Sequence, residues 1–107
     1  MAETFKKLAQ GTVPASITAL FTGVSGFHYV IKHMRFANFS GANQTLTLYQ
    51  DGALSANIIL PTSTILAGGW AEFEGAILLE DTGTIRGIAS TVTTLTYTIY
   101  GLEVRTL

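Results

Sequence analysis

Apolar and β-branched residues are clustered along the chain into short runs, which glycine, proline, asparagine and aspartate separate. In residues 44–50 the pattern alternates regularly, with Leu46 and Leu48 on one side and threonines on the other. Such alternation is typical of a strand with one buried face. Helical periodicity is nearly absent, and the runs recur at a spacing of roughly 8–12 residues. The pattern therefore predicts an all-β sandwich or barrel.

The runs predict about eight strands in a single antiparallel β-sandwich. They cover residues 17–21, 27–39, 44–50, 54–60, 70–74, 77–79, 84–90 and 93–103. A further run, residues 5–13, precedes these eight and is ambiguous, so residues 1–13 form either an N-terminal arm or a first strand. Residues 14–107 form the sandwich domain. The strand count favours a jelly roll. An immunoglobulin-like sandwich is the alternative, because the pattern does not determine the strand order.

Local signals give more specific expectations for the connections. Asp51-Gly52 predicts a type I′ hairpin turn, because both residues tolerate a positive φ. Pro61 is expected to end the strand before it, since proline cannot donate a hydrogen bond to a ladder. Residues 84–90 and 93–103 are expected to form a closing antiparallel pair.

The longest run, residues 27–39, carries apolar side chains on both of its alternating faces. A regular strand of this kind is central in its sheet and covered on both sides. The alternative is a β-bulge near Ile31 and Lys32, which would exchange the two faces part-way along the strand. The pattern alone leaves both possibilities open.

Charged residues make up only 12% of the chain, whereas hydrophobic residues make up 48%. The formal net charge is −1, and no basic stripe is present that would bind a nucleic-acid backbone. There is no cysteine, no apolar signal-peptide segment and no run long enough to cross a membrane. We therefore expect a soluble protein that binds neither nucleic acid nor membrane. The low charge indicates either a surface covered by a partner or a β surface rich in threonine, serine and asparagine.

No set of residues has the arrangement of a catalytic or metal site. His28 and His33 are on opposite faces of a regular strand, so they cannot bind one metal ion without a bulge. Glu72 and Glu74 share a strand face, as an acid–base pair would, but alternating glutamates are also usual on a solvated strand. The acidic residues of the predicted turns supply too few ligands for Ca²⁺. We expect no enzyme activity, no catalytic residue, no metal and no cofactor.

Trp70 follows a glycine-rich turn, and the sequence leaves three roles open for it. The indole is a core anchor, a hot spot of a protein interface or a surface on which a sugar stacks. A carbohydrate site needs two or three aromatic side chains on one exposed face, and the candidates are Tyr29, Tyr49, Tyr97 and Tyr100. The last two differ in parity, so both cannot face outward from a regular strand.

Four segments share an ordered pattern of strand and turn residues. They are residues 29–38 (YVIKHMRFAN), 45–52 (TLTLYQDG), 78–87 (LLEDTGTIRG) and 98–103 (TIYGLE). The pattern resembles a family of small bacteriophage virion proteins, in which the first, third and fourth segments read V-K-x-I-R-L-A-N, L-x-x-G-D-x-I-R-G and v-x-G-x-E. One departure is Asp81-Thr82-Gly83, which replaces the family's Gly-Asp pair. The resemblance covers about residues 27–103.

The resemblance implies a structural protein of the virion, synthesised in the cytoplasm of a bacterial host. Such a protein would be a capsid decoration or cement protein, which binds the major capsid protein or other virion proteins and reinforces contacts between capsomers. It would act as a homo-oligomer, with a trimer favoured. A tail, neck or head-fibre component is the alternative within the virion, and a carbohydrate- or receptor-binding module is the alternative outside this resemblance.

The residues expected at protein interfaces are apolar, aromatic or basic and lie near the ends of strands or in the first run. They are Phe5, Lys6, Lys7, Leu8, Phe39 and Trp70. The two lysines would let the N-terminal segment order as an arm on an acidic capsid surface.

Overall fold

The computed structural model describes residues 3–106, which form eight β-strands and one short 3-10 helix. The strands are β1 (Glu3–Thr12), β2 (Thr18–Thr22), β3 (Phe27–Asn38), β4 (Gln44–Gln50), β5 (Ile58–Ile65), β6 (Trp70–Glu80), β7 (Thr84–Ala89) and β8 (Leu95–Arg105). Met1, Ala2 and Leu107, which belong to the predicted segments 1–13 and 14–107, lie outside the described residues. The run that the sequence leaves open between an arm and a first strand forms β1, which pairs with β8.

The strands form two four-stranded antiparallel sheets packed face to face. Sheet I has the order β1-β8-β3-β6, and sheet II has the order β2-β7-β4-β5. Apart from β4 and β5, paired strands are not neighbours along the chain, and this is the strand order of a jelly roll. The predicted all-β sandwich is confirmed, and the jelly roll is the observed topology. No helix within residues 3–106 is long and apolar enough to cross a membrane.

The predicted pairing of the last two strands is wrong. β7 pairs with β2 and β4 in sheet II, whereas β8 pairs with β1 and β3 in sheet I. Residues 90–94 therefore cross from one sheet to the other. Alternation shows which side chains of a strand are buried. It does not show which of the two sheets the strand belongs to, because strands of both sheets bury one face against the same core.

The connection between β4 and β5 differs from the predicted two-residue turn. Residues 51–57 join the strands and include the 3-10 helix Ser55–Asn57. Asp51 has the expected positive φ, 60°. Gly52 instead lies so close to the side chain of Asn57 that a Cβ would overlap it. The turn dipeptide therefore begins a longer loop.

Pro61 lies inside β5 and does not end a strand as expected. β5 is the edge strand of sheet II, and its register with β4 shifts on both sides of the Leu48–Leu60 pair. An edge strand needs hydrogen bonds on only one side, and bulges interrupt them further, so a proline is tolerated there.

β3 is central in sheet I, between β8 and β6, and a β-bulge interrupts it at Lys32. Before the bulge Tyr29 and Ile31 are buried, and after it Met34 and Phe36 are buried. The bulge therefore exchanges the two faces, as one predicted alternative has it. No part of residues 3–106 forms a layer over the outer face of sheet I.

The core lies between the two sheets and is apolar, with polar atoms only where they are paired. Its fully buried side chains include Tyr29, Ile31, Met34, Phe36, Leu46, Leu48, Leu79, Ile85, Leu95 and Ile99. The Tyr29 hydroxyl donates to Glu103 (3.1 Å), and the Tyr97 hydroxyl donates to the carbonyl oxygen of Leu20 (3.0 Å). Burial raises the pKa of both tyrosines. Among the described residues, every buried side-chain nitrogen or oxygen has a hydrogen-bond partner.

Candidate interaction surfaces

Four loops meet at one end of the sandwich, and none of their residues is charged. They are residues 13–17, 39–43, 66–69 and 90–94. Large apolar side chains are exposed at this end on three of the loops and on the first residue of β6. They are Phe39, Leu66, Trp70 and Val92, with exposed fractions of 56%, 64%, 59% and 60%. We call these four residues the loop-end surface, and its combination of apolar side chains and missing charge is typical of a protein–protein contact.

Asn38, the last residue of β3, holds the loops beneath the loop-end surface in place. Its side chain is buried. The amide nitrogen donates to the carbonyl oxygens of Ala42 (2.9 Å) and Ile65 (3.0 Å). The amide oxygen accepts from the backbone N–H (2.9 Å) and the hydroxyl (2.7 Å) of Ser40. One side chain thus joins β3, the following loop and the end of β5.

A row of polar and aromatic side chains continues from Trp70 over the outer face of sheet I. The Arg35 guanidinium carbon lies 5.2 Å from the centre of the Trp70 ring, and Arg35 Nη1 lies 3.9 Å from Glu72 Oε2. The same oxygen lies 2.8 Å from His33 Nε2, and the His33 ring stacks on Tyr100 at 5.9 Å. The hydrogen bond with His33 is the main cause that lowers the pKa of Glu72, and the charge of Arg35 adds to it.

Replacing His33 with alanine is expected to raise the pKa of Glu72 toward its ordinary value. Because the folded-state pKa is the lower one, ionised Glu72 stabilises the fold above its unfolded-state pKa. That stabilisation is lost as the pH falls through the folded-state pKa. An NMR titration of the Glu72 carboxyl carbon in both proteins measures the change, and equal midpoints would contradict the His33 contact.

A second surface lies on the side of the sandwich where β5 and β6 are the edge strands of their sheets. A cleft of about 240 Å³ opens between them, and apolar side chains form most of its walls. They include Met34, Leu48, Ile59, Leu60, Phe73 and Ile77. Ile58 and Leu78 on the same two strands are also exposed. This side therefore offers apolar area and unpaired strand edges together.

The six residues expected at interfaces lie in two separate places. Phe39 and Trp70 lie together at the loop end, and the exposure of Trp70 rules out its interpretation as a core anchor. The four residues of the first run lie on β1, at the edge of sheet I opposite β6. The sequence interpretation did not include Leu66 and Val92, which the fold brings to the same end as the two aromatic residues.

The β1 residues differ in how far they are available to a partner. Phe5 is exposed over 62% of its surface, whereas Leu8 packs against the core. Lys6 Nζ lies 3.0 Å from a carboxylate oxygen of Glu103, in an ion pair within sheet I. Lys7 Nζ donates only to the side chain of Gln10 on the same strand, at 2.8 Å. Of these four residues, Phe5 and Lys7 are therefore the most open to an incoming chain.

The fold assembles no metal site among the residues it describes. The bulge at Lys32 brings His28 and His33 to the same outer face, unlike in a regular strand. Even so, no group of three or more His, Asp or Glu side chains within residues 3–106 can hold an ion. The carboxylates of Asp51 and Asp81 accept the backbone N–H groups of Thr84 and Gly26, at 2.9 and 3.2 Å. The acidic turns therefore use their oxygens within the fold.

No family model matches the chain, and no curated protein matches it either. Among solved structures, a protein of Bacillus endospore appendages, described as disulfide-linked pili, has 13% identity and a TM-score of 0.57, covering 96% of this chain and 88% of that one. A protein of the T13 particle of infectious bursal disease virus has 7% identity and a TM-score of 0.52, covering 96% of this chain and 31% of that one. A protein of the Gx strain of this virus has 9% identity and a TM-score of 0.51, covering 97% and 33%.

At these identities the likeness shows a shared fold. The chain spans about a third of the length of the two viral chains and most of the length of the pilus protein. The fold of this chain is therefore one that occurs in proteins of virus particles and of pili.

Proposed function

We propose that this chain is a structural protein of a bacteriophage particle, which binds the major capsid protein through the loop-end surface and reinforces contacts between capsomers. It is thus a decoration or cement protein without enzymatic activity, located in the virion. The observation that carries the proposal is the loop-end surface, with four large apolar side chains exposed among uncharged loops. The sequence resemblance to phage virion proteins and the fold shared with a protein of a virus particle support the viral setting.

The size of the loop-end surface limits how tightly a single copy binds. Burying the exposed part of its four side chains contributes roughly 3–7 kcal/mol. Loss of translational and rotational freedom costs about 4–15 kcal/mol. One loop end alone therefore binds weakly, whereas several linked copies that bind together gain by multivalency. This supports a homo-oligomer, of which the trimer favoured by the sequence resemblance is one form.

Binding to capsids tests the proposal. Capsids of the encoding phage, assembled without this chain, are mixed with the purified protein and sedimented. We expect the protein to sediment with the capsids, and the double variant Phe39→Ser, Trp70→Ser to bind roughly tenfold more weakly or worse, because it removes two aromatic anchors.

The matched control changes two exposed apolar residues at the opposite end of the sandwich, Val24→Ser and Leu54→Ser. This variant should bind capsids like the unchanged protein. Absence of co-sedimentation, or equal loss of binding in both double variants, would refute binding through the loop end.

A fibre component is the second candidate function, and it too has a specific observation in its favour. The pilus protein matches this fold over 88% of its own length. This chain has no cysteine, so contacts between its copies would be non-covalent. The carbohydrate-binding alternative loses support, because Tyr29 and Tyr97 are buried in the core and cannot form an exposed platform.

A further inference from the structure

We propose that copies of this chain join head to tail, with β6 of one copy pairing antiparallel with β1 of the next, so that sheet I continues from copy to copy. The contact uses the edges of sheet I and leaves Phe39, Leu66 and Val92 of the loop-end surface outside it, so it goes beyond the capsid binding proposed above. Within residues 3–106, β1 and β6 are the outermost strands of sheet I. Each therefore presents a row of backbone N–H and C=O groups without a strand partner.

The strand directions suit such a contact. Neighbouring strands of sheet I are antiparallel throughout, so β1 runs antiparallel to β6. When a second copy is moved sideways across the strands of sheet I, without rotation, its β1 comes to lie antiparallel to β6 of the first copy. Neither β1 nor β6 contains proline. β5, an edge of sheet II, contains Pro61, which lacks a backbone N–H donor. Sheet I is therefore the sheet that can continue.

The charges of β1 and β6 favour pairing of β6 with β1 over pairing of β6 with β6 of another copy. β6 carries three glutamates and no basic residue, whereas β1 carries two lysines and one glutamate. Pairing β6 with β6 of another copy would place carboxylates against carboxylates. Pairing β6 with β1 places an acidic strand beside a basic one, which is a heterologous contact.

The rows of sheet I give this contact a specific register. Across the sheet, Phe5 lies in the same row as Leu78, and Lys7 lies in the same row as Glu74. Translation by one copy sets Leu78 opposite Phe5 of the next copy and Glu74 opposite Lys7. Phe5 and Leu78 are 62% and 52% exposed in the single chain. The contact therefore buries an apolar pair beside a pair of opposite charges.

Lysines and bulges usually protect an edge strand from pairing. Here the lysine faces a glutamate, and the bulges of the two edges adjoin the same row. The register of β1 shifts at Leu8, directly after Lys7. On β6, Gly75 and Ala76 stand opposite the single residue Lys32 of β3, between Ile77 and Glu74. Because β1 and β6 are antiparallel, the two bulges lie on opposite sides of the row that contains Lys7 and Glu74, and only this row separates them. The segments on either side of the bulges can therefore pair together.

Sheet twist makes such an assembly open-ended. Neighbouring strands rotate by about 20–25°, so four strands rotate by roughly 90° about the direction in which copies are added. Rotation about the direction of growth is a screw and does not close into a ring. Copies joined through sheet I therefore form an open chain, whose average length increases with protein concentration. A trimer, in contrast, has a fixed number of copies.

Sedimentation velocity of the purified protein over a range of concentrations tests the contact. We expect the average mass to rise continuously with concentration and to pass that of three copies. Glu74→Lys should weaken association about threefold to tenfold, because a lysine would then face Lys7. Glu80→Lys makes the same charge change on the same strand but should strengthen association, since Glu80 lies in the row of Glu3.

A charge exchange supplies the rescue. Lys7→Glu should weaken association as Glu74→Lys does, and the double exchange should restore it. Lys32→Glu, on the central strand, is the control and should change nothing. Each variant is checked for an unchanged unfolding temperature. A mass that stays constant, a mass that levels off at three copies, or weakening by both glutamate variants would overturn the proposal. Capsids take no part in this experiment, so its result is independent of capsid binding.

Discussion

Replacing Gly101 with alanine is expected to lower the free energy of unfolding by about 3 kcal/mol. Gly101 lies in β8, between Lys6 of β1 and Ile31 of β3. A Cβ at this position would overlap the backbone carbonyl oxygen of Val30 and press on the side chain of Leu8. Because the carbonyl group belongs to the central strand, only a separation of β3 from β8 would make room.

Thermal unfolding followed by circular dichroism measures this effect, which corresponds to a fall in Tm of roughly 10–20 °C for a domain of this size. Gly41→Ala is the matched control, because no described atom lies within 4 Å of a Cβ there. Its expected change is within about 0.5 kcal/mol. If both variants unfolded at the same temperature, the close approach of β3 and β8 at Gly101 would be disproved.

The positions of β2, β3, β4, β7 and β8 were predictable from the sequence, whereas those of β5 and β6 and most strand partners were not. Leu46 and Leu48 face the core as the alternation of β4 predicts. The same reasoning fails for β7 and β8, because alternation records which side chains are buried and carries no information on the neighbouring strand. The choice between hairpin pairing and crossing to the other sheet depends on the loop and on the whole core.

The bulge in β3 explains why apolar residues occur on both alternating faces of this run. Apolar residues on both faces of this run predicted either burial on both sides or a bulge near Ile31 and Lys32, and the bulge at Lys32 is present. Its consequence was not predicted. By exchanging the faces, it turns His33 and Arg35 outward, where they contact Glu72 and Trp70.

The loop-end surface was only half predictable. Phe39 and Trp70 stood out because aromatic residues beside turns are frequent in interfaces. Leu66 and Val92 are single apolar residues in loops, where no periodicity separates an exposed side chain from a buried one. The signal that would have found them is the absence of charge from four separate loops, but only the jelly-roll topology shows that these loops share one end.

Replacing Asn38 with alanine is expected to destabilise the fold by about 3 kcal/mol and to weaken capsid binding as well. The substitution leaves the carbonyl oxygens of Ala42 and Ile65 without their donor, and each buried unpaired group costs about 1–3 kcal/mol. Chemical denaturation measures the first effect. Co-sedimentation with capsids, at a temperature where the variant is folded, measures the second.

Asn43→Ala is the matched control, because the Asn43 side chain accepts a single exposed hydrogen bond, from the backbone N–H of Ala67. Its expected cost is below about 1 kcal/mol. Asn38→Asp keeps the acceptor for Ser40 but would turn a carboxylate toward the carbonyl oxygens of Ala42 and Ile65. At pH 7 it should therefore be at least as destabilising as alanine. A stable Asn38→Asp variant with full capsid binding would show that the donor side of Asn38 does not organise the loop end. The proposal would then require the apolar side chains to be positioned by their own packing.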